Sequence, residues 1–291
     1  YESFKFSWSR DTFGSSTKLM VRDPLAEEEI MGEFVRLESD KASGVATIRI
    51  ERPPMNAISK QLAAELSEVA GELSSSSEIG AVVLWGGPKI FAAGADIKEF
   101  PAIQDKPEAI EFSTHLHNAL LSLENLPQIT ISAVNGYALG GGCELSMATD
   151  FRFAGENAVF GQPEVLLGIL PGAGGTQRLM RLIGITKAKE INYSGRQVKA
   201  AEALKIGLVS EVFSDEDCYP EAIKAAEIYA KGPKSLQYIK RSMMEGLALP
   251  LQDAIKVEAE AFGDCFETED RLIGVQSFLE HGPGKAGFNR K

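Results

Sequence analysis

The chain is short of the residues that carry metal and thiol chemistry: it has three histidines and three cysteines in 291 residues. Cys143, Cys218 and Cys265 are widely spaced and form no C-x-x-C pair. That excludes a zinc site of the usual spacing and fits a reducing compartment, the cytoplasm or, in a eukaryote, the mitochondrial matrix. His115 and His117 stand two residues apart in a helical pattern, so they do not share a face, and His281 is remote. Basic charge is also scarce, with 30 Lys and Arg against 41 Asp and Glu and a net charge of −11. A nucleic-acid binder needs a basic surface to displace phosphate counterions, so this balance argues against one. It leaves open a small anionic ligand held by a few cations and backbone N–H groups. No apolar run approaches the ~18–20 residues of a membrane span, and no G-x-x-x-x-G-K-[ST] loop marks a P-loop nucleotide site.

What is present is an ordinary globular composition, 44% hydrophobic and 24% charged, long enough for one large domain with an appendage. Residues 1–30 are aromatic and Ser-rich at first and acidic at Glu27–Glu29. They lack a secretory apolar region, and Glu2 and Asp11 are foreign to acid-poor transit peptides. They read as a flexible or vector-derived extension. Folding signals begin near Phe34. Residues 34–37 and 45–50 alternate like paired strands around a turn at 41–44, and Pro53 and Pro54 end the second. Ser59 is placed to cap a helix through Leu73 with Leu62, Leu66, Val69 and Leu73 on one face. Residues 81–85, 129–134 and 151–153 read as buried strands, with helices expected over 108–123 and 142–148. This alternation of strand and helix predicts a parallel sheet with helices outside, an α/β fold, over residues 31–215. After Asp215 the pattern is wholly helical, over 219–231, 233–246, 250–266 and 268–280, which predicts a helical C-terminal region at 216–291 that packs on the α/β core or on a neighbouring subunit.

Three glycine-rich segments each precede a helix: 91–98, 135–144 and 170–177. In the middle one a strand ends at Val134, Gly140, Gly141 and Gly142 follow, and a helix begins. Glycine permits a tight turn and close approach of a ligand. The first N–H groups of the helix have no internal partner and lie at its positive end, a place for a phosphate or a polarised carbonyl oxygen. Glu144 follows at once. On position alone it reads as an acid complementing the helix dipole; the sharper alternative is a base beside an oxyanion site. Glu164 lies twenty residues on, behind Pro163, with enough chain between to double back. Two carboxylates around one water can serve as base and acid because a shared site drives their proton affinities apart. Gly172-x-Gly174 is only a partial dinucleotide fingerprint, since Gln177 stands where Gly or Ala is needed. Cys143 at a helix start invites a nucleophile reading, but without a histidine nearby in sequence it reads better as a small apolar filler.

The segments Ala92–Lys98, Gly136–Glu144, Phe160–Glu164 and Pro171–Arg178, in this order and separation, resemble the signatures of the enoyl-CoA hydratase/isomerase, or crotonase, superfamily. The resemblance runs from about Phe34 to Phe288. It implies a crotonase-like β-β-α spiral core with an α-helical C-terminal region that serves trimerisation and completes the coenzyme A site. It also implies addition of water to a 2-enoyl-CoA thioester, giving a 3-hydroxyacyl-CoA as in fatty-acid β-oxidation. No cofactor is implied, since coenzyme A is part of the substrate. By the same resemblance, the N–H groups of Ala95 and Gly141 form an oxyanion hole, and Glu144 and Glu164 hold and activate water. Ala57, Ala95, Asp96, Ile97 and Lys98 line the coenzyme A groove with Gly141. Gly172 orients Glu144 through its N–H, and Lys285 reaches the adenine or phosphates, from a neighbouring subunit if the chain is a trimer or pair of trimers. The final segment departs from the family, with His281-Gly282-Pro283-Gly284-Lys285 in place of a Lys-Arg run. Double-bond isomerisation, or another acyl-CoA lyase or hydrolase reaction on this fold, is the alternative activity. A non-catalytic RNA-binding or scaffolding member is the alternative class, which the acidic balance disfavours.

Overall fold

The computed structural model describes residues 27–291. Its elements in chain order are β1 (Glu27–Met31), β2 (Val35–Asp40), β3 (Val45–Ile50), α1 (Lys60–Ser75), β4 (Ala81–Trp85), β5 (Ile90–Ala93), α2 (Lys106–Glu124) and β6 (Ile129–Val134). There follow β7 (Tyr137–Leu139), α3 (Gly141–Met147), β8 (Phe151–Gly155), β9 (Val159–Gly161), α4 (Gly175–Ile183), α5 (Ile185–Ser194) and β10 (Gln197–Lys199). The chain closes with α6 (Ala200–Lys205), β11 (Glu211–Phe213), α7 (Cys218–Ala230), α8 (Ser235–Gly246), α9 (Leu251–Phe266) and α10 (Glu269–His281).

The main sheet has the order β1-β2-β3-β4-β6-β8-β11, antiparallel through β3 and parallel beyond it. Its strands β4 and β6 are buried almost along their whole length because both faces are covered, with Thr130 and Ser132 the polar residues of β6. Along β4 the side chains alternate: Val82 and Leu84 join the core under α1 and α2, while Ala81 and Val83 join Ala222, Ala225 and Ala226 of α7. Small residues on α7 let that helix lie close to the sheet. Ser59 caps α1, its hydroxyl accepting the Leu62 N–H at 3.2 Å. Asp105 caps α2 in the same way through Glu108 N–H.

A second sheet, ordered β10-β9-β7-β5, decides where the site lies. Strands β4, β6 and β8 each run on, past a glycine or turn, into β5, β7 and β9. The chain thus winds as repeated strand, strand and helix, the spiral expected. The sequence did not announce β5, β7, β9, β10 or β11, each three or four residues long and too short to display an alternation. One boundary differs from expectation. Strand β1 pairs antiparallel with β2 from Glu27 to Met31, so ordered structure reaches into the segment read as an extension. The rest of that expectation, for residues 1–26, lies outside the described residues.

The helical C-terminal region is present as α7–α10, and α7 packs on the sheet's second face. Helix α8 is pinned by Lys240, whose Nζ donates to Asp150 Oδ2 at 2.8 Å and to the Gln128 carbonyl at 2.9 Å. The same Asp150 oxygen accepts the N–H and hydroxyl of Thr130. Beyond it, α9 and α10 expose Leu251, Phe262, Leu272, Phe278 and Leu279. Among the described residues no helix is long and apolar enough to cross a membrane.

Candidate active site

The turn between β7 and α3 uses each of its three glycines for a different reason. Gly140 has φ +51°, and a Cβ there would stand 2.6 Å from Glu164 Oε1. A Cβ on Gly141 would stand 3.2 Å from the Ala95 nitrogen, and one on Gly142 only 1.9 Å from the Ala92 carbonyl oxygen. The turn is therefore pressed against both the 92–95 segment and Glu164, with no room for a side chain. Gly141 opens α3, and its N–H has no intrahelical partner. Ala95 is held by a ladder with Ile58: Ile58 N–H donates to Gly94 O and Asp96 N–H to Ile58 O, both at 2.9 Å. The Ala95 N–H takes no part in that ladder. Two amides that sequence separates by 46 residues thus lie side by side at the junction of the sheets.

Other side chains fix this junction. Asn56 is buried at φ +52°, and its Nδ2 donates to the carbonyls of Gly86, Ile90 and Phe91. Arg52 joins the two walls, donating to Ala57 O at 2.9 Å and to Asp96 Oδ2 at 2.6 Å. Burial opposes ionisation of Asp96, but Arg52 and the Lys98 N–H hold its carboxyl below the ordinary value. The Asp96 side chain is committed to this pair, whereas Ile97 and Lys98 are exposed on the 3-10 turn that follows. At the far end of α3, buried Arg152 donates to the carbonyls of Ser146 and Thr149 and ties them to the Leu208 carbonyl of the segment between α6 and β11.

Glu144 is 2% exposed, which matters because an ion so placed needs dedicated partners. Its Oε1 accepts the N–H of Ala173 at 2.8 Å and of Gly175 at 2.7 Å. Burial pushes its carboxyl above the ordinary value, opposed by those two N–H groups and by the charge of Arg178. The donor expected at Gly172 is a correction: the turn approaches Glu144 with its next residues, and Gly172 instead offers its carbonyl to Ser113 Oγ at 2.6 Å. Glu164 follows Pro163 at the start of a 3-10 turn, Pro163–Leu167. With its amide nitrogen facing Glu164, Gln162 donates to both carboxylate oxygens, at 3.1 and 3.3 Å. Burial first, and the negative charge of Glu144 second, push the Glu164 carboxyl up to about 7. Glu164 therefore feels the charge of Glu144, and it touches the turn that carries the Gly141 amide.

The family model for enoyl-CoA hydratase/isomerase matches residues 40–289. The chain belongs to the enoyl-CoA hydratase/isomerase family. It is 41% identical over 244 residues to the short-chain-enoyl-CoA hydratase of Clostridium acetobutylicum, covering 83% of this chain and 93% of that one. It is 41% identical over 255 residues to the crotonyl-CoA hydratase of Syntrophomonas wolfei, covering 87% and 97%. Among solved structures, the enoyl-CoA hydratase of Bacillus anthracis superposes with a TM-score of 0.78 at 36% identity, covering 87% of this chain and 96% of that one. That of Thermoplasma volcanium gives 0.77 at 31%, covering 86% and 98%.

Other sequence candidates fall elsewhere. Lys285 is exposed in the closing segment, which is tied to Asp270 through the N–H groups of Asn289 and Arg290. Cys143 is buried and its thiol is pushed up to about 12 by that burial, which fits the filler and not the nucleophile. His115 meets the Lys60 carbonyl, and no metal-ligating cluster occurs among the described residues. Reading the sequence missed Arg52, Gln162, Ala173, Gly175 and Arg178. Only the glycine pattern around 172–175 signalled that backbone amides were exposed there.

Proposed function

We propose that this family member hydrates short 2-enoyl-CoA thioesters, placing hydroxyl on the β-carbon and hydrogen on the α-carbon to give a 3-hydroxyacyl-CoA. One observation carries the reading: a buried carboxyl and a half-buried one that feels its charge stand beside a pair of adjacent backbone amides. The hydratase names of the similar proteins support it. In this mechanism the thioester oxygen accepts hydrogen bonds from the N–H groups of Ala95 and Gly141. Charge builds on that oxygen as the enolate forms, and each fixed donor is worth about 2.7–4 kcal/mol to the transition state. Glu144, one oxygen filled by two amides, presents the other to water and takes its proton as the water oxygen bonds to the β-carbon. Glu164, whose carboxyl holds a proton near neutral pH, delivers one to the α-carbon. Proton return from Glu144 to Glu164 resets the pair, so the cycle is redox-neutral and calls for no cofactor.

The groove for coenzyme A runs past Ala57, Asp96, Ile97 and Lys98, with Gly172 across from it. Lys285 reaches it from a neighbouring subunit, and the apolar faces of α9 and α10 supply contacts for a trimer or pair of trimers. The test is loss of the conjugated-thioester absorbance of crotonyl-CoA on adding purified protein. Glu144→Gln and Glu164→Gln should each cost about 10²–10⁴-fold in kcat. Wild-type turnover in both variants defeats the mechanism. Isomerisation without hydration would leave no isotopic oxygen from labelled water in the product.

A further inference from the structure

The 172–175 turn that holds Glu144 is itself held, and the holder is outside the site. Three carbonyls in the turn have partners other than Glu144. Gly172 O accepts from Ser113 Oγ of α2 at 2.6 Å. Ala173 O accepts from Arg178 Nη1 at 2.9 Å. Gly174 O accepts the N–H groups of Gln177 and Arg178 at the start of α4. With the carbonyls turned away, the amides of Ala173 and Gly175 have one direction left, toward Glu144 Oε1. Arg178 also covers the turn sterically: at φ +104°, Gly174 lies so near that a Cβ would fall 2.3 Å from Nη1.

Arg178 is in turn fixed by Glu124, the last residue of α2. Nη2 donates to Oε2 at 2.6 Å and Nε to Oε1 at 3.3 Å, a two-point fork with both side chains mostly covered. Glu124 and Ser113 stand on the same helix, so α2 grips the turn from two places. The charge of Arg178 reaches further still, opposing the upward push on Glu144 and holding the His117 ring below its ordinary value together with burial.

We propose that Arg178, locked by Glu124, is a positioning residue for the hydration reaction, aiming the Glu144 carboxylate by fixing the 172–175 turn. The assignment rests on the hydratase reading for its catalytic consequence and on the hydrogen-bond geometry for its structural one. A displaced carboxylate acts on kcat more than on binding of coenzyme A, because Arg178 bonds to Ala173 and Glu124 and to none of Ala57, Asp96, Ile97 and Lys98, leaving Gly172 as the one groove residue on the turn it holds.

The experiment compares wild type, Arg178→Gln, Arg178→Lys and Glu124→Gln by crotonyl-CoA kinetics and by amide hydrogen exchange of peptides spanning 171–178. Arg178→Gln should lower kcat about a hundredfold, the cost of a misplacement near 1 Å, with KM within about threefold. Exchange at 171–178 should quicken while peptides from α1 and β4 stay protected. Arg178→Lys, which keeps the charge and one donor but loses the fork, should recover part of both effects, and Glu124→Gln should show a milder form of each. An Arg178→Gln protein with wild-type kcat overturns the proposal. So does a fall in kcat with unchanged exchange at 171–178, or faster exchange everywhere, which is general destabilisation. If the wild type does not hydrate crotonyl-CoA, the function reading fails, and the exchange comparison still decides whether Arg178 holds the turn.

Discussion

Glu164 should make the protein less stable at alkaline pH, and removing its charge should reveal how much. Burial and the neighbouring Glu144 raise its carboxyl from 4.5 to about 7 in the folded chain. The folded state therefore binds a proton more tightly than the unfolded one. Its contribution to stability is fully present below pH 4.5 and is lost as pH rises through about 7. At 1.36 kcal/mol per unit the gap sets a ceiling of about 3 kcal/mol. Solvent reaches this half-buried group and screens it, which reduces the expected cost to roughly 1–2 kcal/mol. Glu164→Gln keeps the shape and the Gln162 contact without the charge. Above pH 8 the variant should melt about 2–8 °C higher than wild type, using ~2–4 °C per kcal/mol for a domain of this size. At pH 4.5 the two should coincide. Thermal melts followed by circular dichroism at both pH values measure this. A variant less stable than wild type at pH 8.5, or an equal difference at both pH values, refutes the electrostatic account of the pair. The same substitution that stabilises should abolish most turnover, as expected where a strained charge serves chemistry.

Three further outcomes follow from the same coordinates. Gly142→Ala should cost about 3 kcal/mol or prevent folding, since its methyl meets a backbone carbonyl that cannot move aside, and an unchanged melting temperature would contradict the packing. Lys240→Met should lower stability by roughly 2–3 kcal/mol in urea titrations, leaving Asp150 without its cation, and should speed hydrogen exchange in α8 before the central strands. Cys143 should resist iodoacetamide in the native protein at pH 8, with a thiolate fraction of about 10⁻⁴, and mass spectrometry showing rapid native labelling there would disprove its burial.

The long elements were legible because periodicity accumulates over them. Helices α1 and α2 were read to within two residues at each end, since ten or more positions repeat one pattern, and β4 and β6 to the residue, as short buried runs bounded by glycine or proline. The second sheet escaped notice because β5, β7 and β9 offer three or four residues each, and pairing with distant strands rather than local preference makes them strands. Around the site, the glycines and two glutamates stood out by type. Arg178 did not, because an arginine in the first turn of an amphipathic helix has an ordinary surface reading until Glu124 is brought alongside.

The alternation of strand and helix patterns thus determined the α/β class, and the glycine and acid motifs carried the family resemblance and marked the residues worth testing. Only tertiary structure decided that the amides of Ala95 and Gly141 adjoin, that Ala173 and Gly175 and not Gly172 hold Glu144, and that Arg178 stands behind them. The reason is physical. Side-chain type and period are local properties of a chain, whereas a backbone N–H has no signature in sequence and acquires its direction from what fills the carbonyls around it.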